Sequence, residues 1–226
     1  MHTLESTSIL WLSRTEQAPP APPLVTDLVG YESLLQLIQR ERLDRLEGDF
    51  LEIGCFLGGG TAKLAALAER AGKQVWVIDI FDPGFDQTRN TGGERMADLY
   101  SRFLDCRSQA DVFRHITKPW ADRIRLIQQD SMKARLPEGT RLAFAFVDGN
   151  HDPAWIRNDF HLVWKHLAAG GWAGFHDYAG DLPQVTDTLN SLLTENSAEI
   201  DRVERIKDKW VLLIRKGVQK TEWKKL

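Results

Sequence analysis

Apolar residues along this chain follow two alternating periods. From Tyr31 onward, Leu34, Leu35, Leu37, Ile38 and Leu43 share one helical face. DFLEIG at 49–54 then reads as a strand, and 60–72 as a helix with Leu64, Leu67 and Ala71 on one side. VWVIDI at 75–80 is a continuous apolar run, the pattern of a strand buried on both faces. Residues 94–117 are helical but polar and irregular, while RIRLIQQ at 123–129 and LAFAFVD at 142–148 are strands. Trp155, Ile156, Phe160, Val163, Trp164 and Leu167 mark an amphipathic helix over 153–168, which Gly170 and Gly171 are expected to stop. GWAGFHD at 171–177 is the next strand, 183–195 the next helix, and EIDRVERI and KWVLLIRK read as two strands around a turn at Lys207-Asp208. Strands alternating with helices predict parallel βαβ units, and right-handed crossovers place helices on both faces. The expected fold class is α/β and doubly wound.

Residues 15–25, TEQAPPAPPLV, carry four prolines and read as an extended connector. They set an N-terminal arm and linker, 1–25, apart from one domain over 26–226. The arm contains Ile9, Leu10, Trp11 and Leu12. Packing on the domain, covering an active site and binding a second copy, as in a homodimer, are all open roles for it. The net charge of −3 supplies no basic field for nucleic acid, so a small molecule is the expected partner. Two cysteines, Cys55 and Cys106, argue against a disulfide framework and for a reducing, cytoplasmic setting. No apolar run approaches the roughly 20 residues that span a bilayer, so no membrane partner is expected. The opening MHTLESTSILWLSR lacks the basic and apolar regions of a secretory signal.

Open α/β sheets bind ligands at the carboxyl ends of their strands, where the strand order reverses. The first sheet strand ends in LEIG and runs into LEIGCFLGGGT, Leu51–Thr61, with a helix following. Glycine permits a tight turn and close ligand approach to the main chain. A dinucleotide fingerprint requires G-x-G-x-x-G. Here Phe56 stands at the second glycine position and would obstruct a pyrophosphate, and the spacing is E-x-G-x-x-x-G.

LEIGCFLGGGT resembles the first motif of the class I S-adenosylmethionine-dependent methyltransferases. The resemblance implies a Rossmann-like, mostly parallel seven-stranded sheet whose last strand is antiparallel. It also implies that Glu52, Gly54 and Gly58, with Cys55, Phe56 and Thr61 of the same motif, bind the methionine part of S-adenosyl-L-methionine. A carboxylate suits a cofactor that carries an ammonium and a sulfonium but no phosphate. Asp79, which ends the second apolar run, is placed to accept hydrogen bonds from ribose hydroxyls. The resemblance assigns Asp130 and Ser131 to the adenine side; an Asp-Ser pair is equally a helix N-cap.

The fourth strand ends in FVDGNHD, with Asp148, Asn150, His151 and Asp152, and the fifth in GFHDY, with His176, Asp177 and Tyr178. These polar groups exceed what core packing explains, although mutual bonding and helix capping are a second explanation. D-G-x-H-D followed by a helix, then G-G and H-D, resembles the group of macrocin-type sugar O-methyltransferases and cephalosporin-hydroxylase-like proteins. That resemblance implies a divalent cation, usually magnesium, on Asp148, His176 and Asp177, with Asp148 also beside the cofactor. The chain departs from the pattern in two places. It has His176-Asp177 where macrocin-type members have Asp-Asp, and Asn150 where they have a carboxylate. Magnesium prefers oxygen, so His176 suits manganese, iron or zinc better.

Methyl transfer is an in-line displacement that needs alignment and a deprotonated nucleophile. Asp148 and His151 are the catalytic candidates, with His151 as general base because imidazole titrates near neutrality. Asp152 is expected to start the following helix. Residues 81–121 exceed a minimal strand connection and are expected to form a lid, with Phe81, Phe85, Arg89, Arg95 and Tyr100 as pocket candidates and Trp120 as a stacking candidate. The function expected is metal-assisted O-methylation of a sugar, polyketide or phenolic hydroxyl in natural product biosynthesis. N- or C-methylation without metal, a nicotinamide-dependent oxidoreductase and a non-catalytic binding protein are the alternatives.

Overall fold

The computed structural model describes residues 26–104 and 106–217. The arm and linker over 1–25 therefore lie outside the described residues. Helix α1 is Glu32–Arg40, strand β1 Asp49–Ile53, α2 Gly59–Ala71 and β2 Val75–Asp79. Helices α3 (Met96–Leu104) and α4 (Gln109–Thr117) precede β3 (Ile124–Gln128). Then come β4 (Leu142–Val147), α5 (Pro153–His166), β5 (Leu167–Phe175), α6 (Pro183–Glu195), β6 (Ile200–Ile206) and β7 (Val211–Lys216). The seven strands form one sheet in the order β3-β2-β1-β4-β5-β7-β6. β7 runs antiparallel to β5 and β6 on either side of it, and the other adjacent pairs are parallel. The chain leaves β1 toward β2 and β3, then returns to β4 on the other side. That reversal opens a crevice at the carboxyl ends of β1 and β4.

Strand alternation divides the core into two layers. Leu51, Ile53, Ala145, Val147 and Phe175 face a cluster with Phe160 and Trp164 of α5 and Leu189 of α6. Phe50, Phe144, Phe146 and Trp172 face the opposite cluster, with Leu34 and Ile38 of α1 and Leu64 of α2. Glu52 lies in step with Phe50, so the same alternation drives its carboxylate into the second layer.

The structure differs from the sequence reading between α5 and β5. The helix ends at His166, and Gly170 and Gly171 lie within β5. Leu142 pairs with Leu167 but Phe144 pairs with Trp172, so extra β5 residues loop out of register. Gly170 takes the left-handed turn this excursion requires, at φ +82°. The glycines absorb a bulge instead of stopping a helix. The polar stretch 94–117 also divides into two helices, with Cys106 at φ 60° between them.

Candidate active site

A cavity of about 550 Å³ opens at the carboxyl edge of the sheet, a size typical of small-molecule sites. Gly54 lines it at φ +79°, and a Cβ there would sit 2.0 Å from the Asp148 carbonyl oxygen. The ends of β1 and β4 approach that closely because the position carries no side chain. Backbone strain concentrates around this edge: Phe56, Phe81 and Asp177 all have positive φ, at 49°, 54° and 58°. Such conformations are uncommon for residues with a Cβ and cluster at functional sites.

Cys55, Phe56, Asp79, Asp130, Ser131, Asp148, His176 and Asp177 all line the cavity with Gly54. Asp79 joins the turns after β1 and β2: its Oδ2 accepts from the Cys55 amide at 2.8 Å and the Cys55 thiol at 3.2 Å, and its Oδ1 from the Phe81 amide at 2.6 Å. Burial raises its pKa, and these hydrogen bonds oppose the rise. Asp130 Oδ1 accepts from the Trp155 indole N–H and the Met132 amide, both at 3.0 Å.

Glu52, Gly58 and Thr61 are not among the lining residues. Glu52 is fully buried, and its two carboxylate oxygens accept hydrogen bonds from Tyr31 and Thr61. Gly58 packs toward Phe113 at φ +88°. These three residues brace the turn from below. Burial pushes the pKa of Glu52 up to about 8, against the lowering effect of the Thr61 and Tyr31 hydrogen bonds. A folded-state pKa above the unfolded value of 4.5 gives stability that is complete below pH 4.5 and lost as the pH rises toward 8. Glu52→Gln is therefore expected to gain stability relative to the unsubstituted protein from pH 5 to 8, by a few kcal/mol on an order-of-magnitude basis. Urea unfolding at several pH values measures this; parallel stability curves would refute it.

The ends of β4 and β5 carry a continuous hydrogen-bonded chain. Asp86 Oδ2 lies 2.5 Å from His151 Nδ1, and His151 Nε2 lies 2.8 Å from Asp177 Oδ2. His176 Nδ1 lies 3.1 Å from both Asp177 Oδ2 and Asp148 Oδ1. Asp148, His151 and Asp177 each offer a ligand atom, all within 4.8 Å of one another. An octahedral ion with bonds near 2.1 Å spaces its ligand atoms about 3 Å apart, so these oxygen and nitrogen donors suit a divalent cation in kind and would draw together from separations of up to 4.8 Å to hold one. His176 stands beside the same carboxylates.

His151, the base expected from the sequence, is buried with each ring nitrogen against a carboxylate. Burial lowers its pKa, but Asp177 and Asp86 outweigh that and raise it to about 10. No lone pair of this ring faces the cavity. Burial likewise opposes protonation of His176, but Asp148 and then Asp177 outweigh it and raise the pKa to about 11. For Asp177, burial raises the pKa, and the hydrogen bonds from His151 and His176 reverse this and hold it well below the usual carboxylate range. Asp152 caps α5 through the Ala154 amide at 2.9 Å, as its position suggested.

The 81–121 segment supplies part of the wall. Phe85 and Tyr100 line the cavity; Phe85 meets Trp155 edge-on at 5.8 Å, and Tyr100 and Phe103 pack on Phe56. Phe81 packs on Phe113 instead, and Arg89 and Arg95 bond within their own loop and helix. Trp120 joins the second core layer. Sequence reasoning missed Tyr31, Asp86, Trp155 and Trp210, all of which belong to this site or its wall except where Tyr31 also holds Glu52.

S-adenosylmethionine fits this lining. Lys209 is the only lysine or arginine among the described lining residues, against nine aspartates. That is a poor environment for a pyrophosphate and a good one for a sulfonium and an ammonium. Comparison with solved structures supports the fold. The O-methyltransferase NovP superposes with a TM-score of 0.61 at 17% identity, over 83% of this chain and 79% of that one. CalS11, a TDP-rhamnose 3'-O-methyltransferase of calicheamicin biosynthesis, gives 0.54 at 19%, over 82% and 78%. The methyltransferase MycE, in complex with Mg, S-adenosylhomocysteine (SAH) and mycinamycin VI, gives 0.50 at 18%, over 83% of this chain and 50% of that one. No curated protein matches the sequence. A model of the methyltransferase-domain family does match, over residues 51–178, more than half of the chain. The chain belongs to that family and is an S-adenosylmethionine-dependent methyltransferase with the class I fold.

Proposed function

We propose that the protein methylates a hydroxyl group of a small molecule and that a divalent cation between the ends of β4 and β5 assists. The observation that carries this reading is the chain Asp86–His151–Asp177–His176–Asp148, all of which but the buried His151 line the cavity. Transfer to an amine or a carbon has less use for such a concentration of anionic oxygen donors. The NovP and CalS11 descriptions, both O-methyltransferases, and the magnesium in the MycE complex support it.

In this reading the turn Gly54–Phe56 holds the methionine end of the cofactor. Asp79 accepts from the ribose hydroxyls, and Asp130 and Ser131 face the adenine, with Trp155 fixing the Asp130 carboxylate. Glu52 keeps the turn in place through Tyr31 and Thr61. Asp148 and Asp177 would be the principal metal ligands, and a nitrogen from His151 or His176 would join them only on giving up its proton and its carboxylate partner. The cation, when bound, lowers the acceptor hydroxyl's pKa and fixes its oxygen. Asp148 faces the cavity and is placed to accept the hydroxyl proton, and His176 at 3.1 Å orients its carboxylate. His151, held between Asp86 and Asp177, positions the Asp177 carboxylate. The 81–121 segment covers the site and excludes water through Phe85 and Tyr100. The described residues include no helix long and apolar enough to cross a membrane.

Treatment with a chelator is expected to lower turnover about 100-fold or more, with recovery on adding magnesium or manganese. Turnover that persists in chelator would favour N- or C-methylation on the same cofactor site.

A further inference from the structure

The mouth of the cavity carries an aromatic side chain that the reading above leaves without a role. Trp210 precedes β7 in the tight turn after Lys207–Lys209 and is 45% exposed. Its backbone lies in the left-handed region, φ 50° and ψ 36°, a conformation that favours glycine or asparagine over a bulky residue. The surroundings hold it there. Its carbonyl accepts the Tyr178 amide at 2.8 Å, which ties the turn to the loop carrying His176 and Asp177. Its ring lies over Gly180, where a Cβ would come within 3.1 Å of the indole. A large apolar surface held against backbone preference at a cavity mouth implies a contact still to be made.

The charge around it narrows what that contact is. Asp181 follows Gly180, Asp208 belongs to the Trp210 turn, and both line the cavity. A cavity with nine aspartates against Lys209 and a protonated His176 focuses a negative potential, of which the cofactor and a divalent ion neutralise only part. An indole face beside carboxylates attracts a cation by both the ring quadrupole and Coulomb attraction.

Resting on the methyltransferase reading, we infer that Trp210 determines acceptor specificity: its indole face, with Asp181 and Asp208, selects an amine-bearing hydroxylated ring and rejects acceptors that carry a carboxylate or phosphate. The test uses three hydroxylated rings that differ in charge: dopamine, catechol and 3,4-dihydroxybenzoate. Their affinities are measured by ligand-observed NMR for protein loaded with SAH and magnesium. Dopamine is expected to bind at least tenfold more tightly than dihydroxybenzoate, with catechol between them. Trp210→Ala is expected to weaken dopamine about tenfold, and Trp210→Phe to stay within about threefold of the unsubstituted protein. Dihydroxybenzoate binding as tightly as dopamine, unchanged dopamine affinity in Trp210→Ala, or no binding of any probe at millimolar concentration would each overturn the inference. Binding of SAH is measured on the same samples. Its failure would overturn the methyltransferase reading as well, whereas SAH binding with the wrong probe order overturns the specificity inference alone.

Discussion

Asp177→Asn is expected to lower turnover by about two to four orders of magnitude and to leave S-adenosylmethionine affinity within about threefold. Asp177 Oδ2 is the shared acceptor of His151 at 2.8 Å and His176 at 3.1 Å. An amide nitrogen in place of that oxygen turns a donor toward two donors, and an amide oxygen in its place leaves them without an anion. Either way the chain from Asp86 to Asp148 loses its centre, and a cation loses a charged ligand. Asparagine is a better probe than alanine here. Asp177 has φ 58°, and asparagine tolerates the left-handed region while filling the same volume. The fold is therefore preserved, as a melting curve would verify. The cofactor contacts proposed at Gly54, Asp79 and Asp130 lie on other strand ends, which is why binding and turnover should separate. Activity near that of the unsubstituted protein would remove the metal and proton roles assigned to the β5 end.

Asp79→Ala is expected to weaken S-adenosylmethionine about 100-fold, with a smaller loss of turnover at saturating cofactor. Two effects combine. Hydrogen bonds to an ionised group contribute roughly 1.5–3 kcal/mol each, and the ribose offers two hydroxyls. The same carboxylate also organises the Cys55 and Phe81 amides, so its removal loosens the turns that line the cavity. A drop of a few degrees in melting temperature should accompany the loss. Calorimetry on the two proteins decides the matter: unchanged cofactor affinity would show that Asp79 serves the turn alone.

Much of this site was legible in the chain because strand ends are legible. LEIG, VWVID, LAFAFVD and GWAGFHD are apolar runs that finish on polar groups, and a parallel sheet delivers those ends to one edge. Asp79, Asp148, His176 and Asp177 each end such a run, and all four line the one cavity. That signal fails where a residue's partner comes from a loop. Asp86 sits in a stretch without periodicity, so nothing marked it as the group that occupies the second nitrogen of His151. His151 consequently looked like a free imidazole when it is a bridged one. Glu52 shows a different limit. The motif suggested a cofactor contact, whereas strand alternation with Phe50 points inward, and the buried carboxylate is held by Tyr31 and Thr61. Gly170 and Gly171 carry the signal of a helix stop and of a bulge alike, because glycine serves both, and only pairing register separates the two.

The divalent cation proposed between the ends of β4 and β5 is open to direct observation. Electron paramagnetic resonance of manganese(II), titrated into the protein saturated with SAH, tests it most directly. One bound ion per chain is expected, displaced by magnesium and lost in Asp177→Asn. No binding, or binding that Asp177→Asn leaves unchanged, would contradict it.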